Sequence, residues 1–256
     1  MKRAIITGAS SGIGRELAVE LSRRGWALAL LARREDLLRD LAREVKESAI
    51  AACDVGDSAA VHEAVRRTSE ALGGPFDLAI ANAGVGAPTH AAKFPLADAE
   101  TMVRVNILGM LYLFDAVIPA MVERGSGRFA GVASLAGYRG LPGTSIYSAT
   151  KSFMQTFLEA SRIELASYGV GVTTINPGFI VTAMTEKNKF RMPFLMKSDR
   201  AARIIADGLE RGVRVVEFPR AMSLLTRSMR FVPSALYDRI MAPMTRRRMD
   251  ETKVKR

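Results

Sequence analysis

Tyr147 and Lys151 lie four residues apart in the segment Ser145-Ile146-Tyr147-Ser148-Ala149-Thr150-Lys151. On a helix that spacing sends both side chains from one face. A free tyrosine hydroxyl titrates near about 10 and exchanges protons poorly at neutral pH. A nearby ammonium favours the phenolate and lowers that value. A tyrosine tuned toward the working pH can act as a general acid or base. Alone, the Tyr-x-x-x-Lys spacing recurs by chance on many helices. Its meaning rests on the elements that position it.

The chain opens on a short apolar strand, Lys2 to Thr7, followed by Thr7-Gly8-Ala9-Ser10-Ser11-Gly12-Ile13-Gly14. Apolar residues then recur at Ile13, Leu17 and Leu21, the spacing of a helix. A second strand is expected at Ala27–Leu31. Strand, glycine-rich turn and helix make a dinucleotide-binding context. The first glycine permits a tight turn; the later two admit a pyrophosphate and let the helix pack against the strand. The helix N-terminus offers unpaired N–H groups to the phosphate.

Further strands are expected at Ser48–Cys53, Leu78–Asn82, Arg128–Ala133 and Gly171–Ile175. Helices are expected at Ile13–Arg24, Glu35–Lys46, Ser58–Leu72, Ala97–Val122, Ser145–Tyr168 and Ala201–Leu209. This alternation predicts an α/β fold: a Rossmann-like, doubly wound parallel sheet with helices on both faces, in a single domain. Gly8, Ala32, Asp54, Asn82 and Ser134 follow or end strands, so they converge on the carboxyl edge where ligands bind.

Several motifs therefore arrive in a fixed order: Thr7-Gly8-x-x-x-Gly12-Ile13-Gly14, Asp54-Val55, Asn82-Ala83-Gly84, Asn106, Ser134, Tyr147-x-x-x-Lys151, and Asn176-Pro177-Gly178 with Thr182. In this the chain resembles the single-domain short-chain dehydrogenase/reductase family over residues 1–215. The resemblance implies an NAD(P)-dependent oxidoreductase acting between alcohol and carbonyl. It makes Tyr147 the proton donor or acceptor. Lys151 would lower its pKa and hold the nicotinamide ribose, Ser134 would hydrogen-bond the reacting oxygen, and Asn106 would position a water leading from Lys151 to solvent. Gly8, Ser10, Ser11, Gly12, Ile13 and Gly14 would cradle the cofactor. Asp54 and Val55 would flank the adenine, Asn82-Ala83-Gly84 would pass its ribose, and Pro177, Gly178 and Thr182 would cover the nicotinamide. Ala81 stands where the family commonly has asparagine, which puts one local hydrogen bond in question.

The second strand ends Leu31-Ala32-Arg33-Arg34, with no acid at Ala32 to hold a ribose 2′-hydroxyl. An arginine there can bind a 2′-phosphate by charge-assisted hydrogen bonds. NADP(H) is therefore expected over NAD(H), with Arg33 the first candidate, Arg15 the second and Arg34 the third.

The chain has 256 residues, 48% hydrophobic, which suits one large core. One cysteine excludes an intramolecular disulfide, and Cys53 with His62 and His90 makes no metal cluster. The start is too short of apolar residues for a signal peptide. Ile107–Val122 falls short of a membrane span and reads as a buried helix, which the resemblance places against a partner subunit. The catalytic domain is expected over residues 1–215, an amphipathic extension over 216–244, and a mobile basic tail over 245–256.

Lys187–Met196 is apolar and methionine-rich, a candidate lid over an apolar or lipid-like substrate. From Arg211 to Arg256 there are 12 Lys/Arg against four Asp/Glu. Met222, Leu225, Met229 and Val232 share one helical face, repeated by Leu236, Ile240 and Met244. Such a stretch suits either packing on the body or an anionic membrane surface. Without an accompanying motif the charge does not imply nucleic acid. The expectation is a cytoplasmic homodimer or homotetramer that reduces a ketone or aldehyde or runs the reverse oxidation, with the basic stretch either packed on the body or in peripheral contact with a membrane. The competing expectation is a nucleotide-sensing or membrane-associated binding protein with little catalysis.

Overall fold

The computed structural model describes residues 1–186 and 192–253, with side chains as far as Pro243. Seven parallel strands form one sheet: β1 (Arg3–Thr7), β2 (Ala27–Ala32), β3 (Ser48–Ala52), β4 (Leu78–Ala81), β5 (Gly127–Val132), β6 (Val170–Pro177) and β7 (Val215–Phe218). Their spatial order is β3-β2-β1-β4-β5-β6-β7. The order reverses between β1 and β4, which opens the ligand crevice beyond the carboxyl ends of those strands.

Both faces are covered. Helices α1 (Gly12–Arg23) and α2 (Glu35–Glu44) lie on one face, and α3 (Ser58–Ala71) on the other. Ala4 and Ile6 of β1 pack with Leu17, Leu21, Leu38 and Leu41, while Ile5 between them packs with Val61 and Val65. This is the period-two alternation of a strand read by two layers. All six residues of β2 are buried, as expected of a strand with helices on both faces. Cys53 is buried and unpaired, in the role of a small apolar side chain, and burial raises its thiol pKa to about 11.

The expected helix Ala97–Val122 is three segments in line: α4 (Leu96–Met102), a π-helical turn Val103–Leu108, and α5 (Gly109–Arg124). The extra residue per turn falls around Asn106, and such insertions recur at functional sites. Leu96–Arg124 as a whole is long and apolar enough to cross a membrane, longer than the expectation from Ile107–Val122. Its Leu113, Val117 and Met121 are buried in the cluster that packs on the sheet.

The remaining helices are α6 (Ser145–Glu164), α7 (Ala183–Glu186), α8 (Ser198–Glu210), α9 (Arg220–Ser228) and α10 (Ser234–Lys253). Strand β7 was not expected. It is four residues long, lies at the sheet edge and leaves Val215 40% exposed, so neither length nor apolar periodicity marks it. The boundary expected at 215/216 falls inside it. The apolar face expected of α9 is also rotated. Ser223 is buried and Met222, Thr226 and Met229 are half-buried, whereas Leu225 is 56% exposed. Met244 and the tail 245–256 lie outside the described side chains, and Lys187–Arg191 of the candidate lid lie outside the described residues.

Candidate active site

Strand β5 ends at Val132, and Ser134 follows as the first residue of a short turn, Leu135–Gly137, packed on α6. Helix α6 presents Tyr147 and Lys151 one turn apart to that strand end. Gly137 allows the approach: a Cβ there would lie 2.8 Å from the Lys151 carbonyl carbon and 2.9 Å from Gln155 Nε2. Lys151 is buried, and its Nζ donates to the Val132 carbonyl at 2.7 Å. Nζ stands 5.7 Å from the centroid of the Tyr147 ring. Asn106 is fully buried; its Oδ1 accepts from Val85 N at 2.8 Å, and its Nδ2 donates to Val85 O and to Thr150 Oγ1. A Cβ on Gly84 would come 3.4 Å from both Asn106 Oδ1 and Lys151 Nζ, so these two side chains face the same glycine.

The electrostatics depart from the sequence expectation. Burial raises the Tyr147 pKa, and the hydrogen-bonded Ser134 hydroxyl pulls it partly back. Burial also lowers the Lys151 pKa to about 7. The causes of the Tyr147 shift are burial and the Ser134 hydroxyl, while the Lys151 amine donates to a backbone carbonyl. At neutral pH Tyr147 is a protonated donor, with the Ser134 hydroxyl beside it.

The glycine turn sits on the same edge. Gly8 has φ +67°, and a Cβ there would meet Ala83 Cα at 2.8 Å. A Cβ on Gly14 would lie 2.4 Å from Asn82 Nδ2 and 2.5 Å from Gly8 O, so only glycine lets α1 start this close to β4. Asn82 Nδ2 donates to Thr7 O at 2.9 Å, and Thr7 Oγ1 accepts from both Asn82 N and Ala83 N at 3.1 Å. Asn82 and Thr7 thus join the ends of β1 and β4 across the crevice. Thr7 stands in the opening motif, yet its hydroxyl role depends on a strand 75 residues away. Thr182 packs over Gly12, with its Cγ2 3.1 Å from where a Cβ would sit. Gly178 donates its N–H to Phe218 O at 2.8 Å, which ties Pro177-Gly178 to the end of β7. Asp54 accepts from Gly56 N and lies 3.6 Å from Arg104. Val55 is buried against Gly109.

The three arginines have different surroundings. Arg34 Nη2 reaches Ser10 Oγ and Ser11 Oγ, both at 3.1 Å, and so overhangs the glycine turn. Arg15 is drawn to Glu16 at 3.0 Å and Glu44 at 2.5 Å. Arg33 is exposed. One polar residue beyond the expected motifs also holds the site. Gln155 Nε2 donates to Ser134 O at 2.8 Å and to Asn176 Oδ1 at 3.0 Å. Among the described residues no group of three or more His, Cys, Asp or Glu could hold a metal ion.

A profile described as short chain dehydrogenase matches residues 2–192. An uncharacterized oxidoreductase from Myxococcus xanthus is 40% identical over 93% of this chain and 95% of its own length. Among solved structures, the alcohol dehydrogenase from the archaeon Thermococcus sibiricus, complexed with 5-hydroxy-NADP, superposes with a TM-score of 0.77 at 29% identity. That match covers 85% of this chain and 95% of the other. The 3-ketoacyl-(acyl-carrier-protein) reductase from Brucella melitensis, complexed with NADH, superposes with a TM-score of 0.80 at 26% identity, over 87% and 98%.

Proposed function

Because the chain belongs to the short-chain dehydrogenase family, and is an oxidoreductase with a nicotinamide cofactor, we propose that it uses NADPH to reduce an apolar ketone or aldehyde to an alcohol. The observation that carries this reading is the meeting of Ser134, Tyr147 and Lys151 at the end of β5, on the sheet edge that also carries the glycine turn.

The glycine cradle fits a dinucleotide: at Gly8 and Gly14 a Cβ would collide with backbone, and a helix N-terminus such as that of α1 offers N–H groups to a phosphate. Gly8, Ser10, Ser11, Gly12 and Ile13 would hold its phosphates. Asn82, Ala83, Gly84, Asp54 and Val55 would border the adenosine half, and Pro177, Gly178 and Thr182 the nicotinamide half. The reduced nicotinamide supplies a hydride when bound. Ser134 and Tyr147 would both donate to the carbonyl oxygen, where charge develops, and Tyr147 would deliver the proton. Lys151 would hold ribose hydroxyls, and Asn106 would keep the Gly84–Val85 loop beside it. An intact donor pair over a built cradle favours turnover over a nucleotide-sensing role.

Arg34 is our candidate for the 2′-phosphate, since it already bridges two serine hydroxyls on the glycine turn. Arg34→Asp should move the NADPH/NADH preference at least about tenfold toward NADH, because a hydrogen bond to a charged group is worth roughly 1.5–3 kcal/mol. Arg33→Asp, measured alongside by cofactor titration, should move it less. Equal effects, or a larger one at Arg33, would return the role to Arg33.

We further propose a homodimer or homotetramer that works in the cytoplasm and touches a membrane peripherally. Support for the membrane contact comes from α9 and the turn after it, where Leu224, Leu225 and Phe231 are 71%, 56% and 87% exposed beside Arg220, Arg227 and Arg230. Apolar side chains set among arginines suit an anionic lipid surface. The protein should co-sediment with phosphatidylserine vesicles at low salt and release as salt rises. Phe231→Asp should weaken that binding without loss of fold. Absence of sedimentation at low salt would assign the face to a subunit contact.

A further inference from the structure

Glu217 stands in the edge strand β7, yet its carboxylate is only 10% exposed. Three donors converge on it. Tyr138 Oη and Asn176 Nδ2 both donate to Oε1, the second at 3.1 Å, and Ser223 Oγ donates to Oε2. The Arg227 guanidinium lies 3.5 Å from Oε2. An ionised carboxylate has lone pairs for all of them, which no neutral side chain of that size matches.

These partners belong to different parts of the molecule. Ser223 and Arg227 are on α9, and Asn176 is on β6. Tyr138 follows the turn Leu135–Gly137 that begins at Ser134. Asn176 Oδ1 accepts from Gln155 Nε2, which also donates to the Ser134 carbonyl. Asn176 Nδ2 donates to Tyr138 Oη at 3.1 Å as well. A hydrogen-bonded chain thus runs from α9 through Glu217 to both ends of the turn that carries the serine hydroxyl.

We infer that Glu217 is a positioning residue that registers α9 against the Ser134–Tyr138 turn, so that the C-terminal helix and the serine hydroxyl beside Tyr147 are held as one unit. The consequence for rate rests on the oxidoreductase reading above; the consequence for the turn's order does not. Removing the carboxylate takes the acceptor from the Tyr138 and Ser223 hydroxyls and leaves Asn176 Nδ2 with Tyr138 Oη alone, and polar networks lose more than the sum of their pairs when one member goes. A glutamine at the same place can still accept from Tyr138 and Asn176 on its oxygen and donate to Ser223.

The experiment compares Glu217→Ala, Glu217→Gln and Tyr138→Phe with Met121→Ala, a core truncation at the opposite end of β5. Amide hydrogen exchange is followed over residues 134–140 and 220–228, together with NADPH turnover on a responsive ketone. Glu217→Ala should speed exchange in both segments and lower kcat about tenfold, short of the ~100-fold that a 1 Å misplacement can cost. The Kd for NADPH should stay near that of the parent. Glu217→Gln should restore most of both readouts, Tyr138→Phe should reproduce the faster exchange in the turn, and Met121→Ala should leave the turn protected.

The inference is overturned if exchange over 134–140 is unchanged in both Glu217→Ala and Tyr138→Phe. It is overturned equally if Glu217→Gln is as impaired as Glu217→Ala. A parent protein that reduces no carbonyl would instead sink the functional reading, and the exchange data would still decide the role of Glu217.

Discussion

Replacing Tyr147 with phenylalanine is expected to cut kcat by at least about 100-fold, within the ~10²–10⁴-fold range that a positioned acid or base supplies, while NADPH still binds. The substitution removes one oxygen and keeps the ring against which Gly86 packs; a Cβ on Gly86 would sit 3.3 Å from Tyr147 Cδ2. Shape is therefore retained while the transferable proton is lost. The direction of the tyrosine's pKa sharpens the expectation. Burial raises it, so the hydroxyl stays protonated through neutral pH and, in the proposed reaction, would serve as an acid toward a carbonyl without prior uptake of a proton. Single-turnover absorbance of NADPH with a series of ketones, run beside a cofactor titration, would measure both quantities. Retention of most of the parent rate with any substrate would remove Tyr147 from the chemistry.

Lys151→Met is expected to be the second large change, and in two opposite directions. Activity and cofactor affinity should both fall, since the amine beside Gly84 is the group assigned to the ribose hydroxyls. Stability should rise. The Lys151 pKa is lowered by burial to about 7, against about 10.4 for a free lysine. A depressed lysine pKa means that the unfolded chain binds the proton more readily than the folded one. The resulting destabilisation is full below pH 7 and fades as pH rises toward 10, where both states are neutral. The difference of pKa values corresponds to an upper bound on the order of 5 kcal/mol, reduced by the lost bond to Val132 O. With roughly 2–4 °C per kcal/mol for a chain of this size, the variant should melt several degrees higher at pH 6. That advantage should shrink by pH 9.5. Melting curves at the two pH values decide the matter without a substrate. An advantage that does not shrink as pH rises would show that no buried charge is being relieved.

Residues whose role depends on neighbours close in the chain were legible from their order alone. The glycine turn lies within eight residues, and Tyr147 and Lys151 within one helical turn, so strand-end and helical geometry place them wherever the rest of the chain goes. The alternation of apolar strands with amphipathic helices was likewise enough for a parallel sheet covered on both faces, because burial on two sides leaves continuous apolar runs such as β2. What sequence spacing could not supply depends on long-range approach. Which arginine overhangs the glycine turn depends on the path of the chain after β2: Arg33 and Arg34 are both exposed, and it is Arg34 that reaches Ser10 and Ser11. Whether Lys151 depresses Tyr147 depends on what else its amine can reach, and the carbonyl at the end of β5 captures it. Strand β7 and Glu217 were invisible because a four-residue edge strand has no period to read, and the donors that give its carboxylate a role come from 41 and 79 residues upstream and six downstream. Local geometry is written in spacing, whereas charge placement and polar satisfaction are settled only when burial decides which groups must find partners.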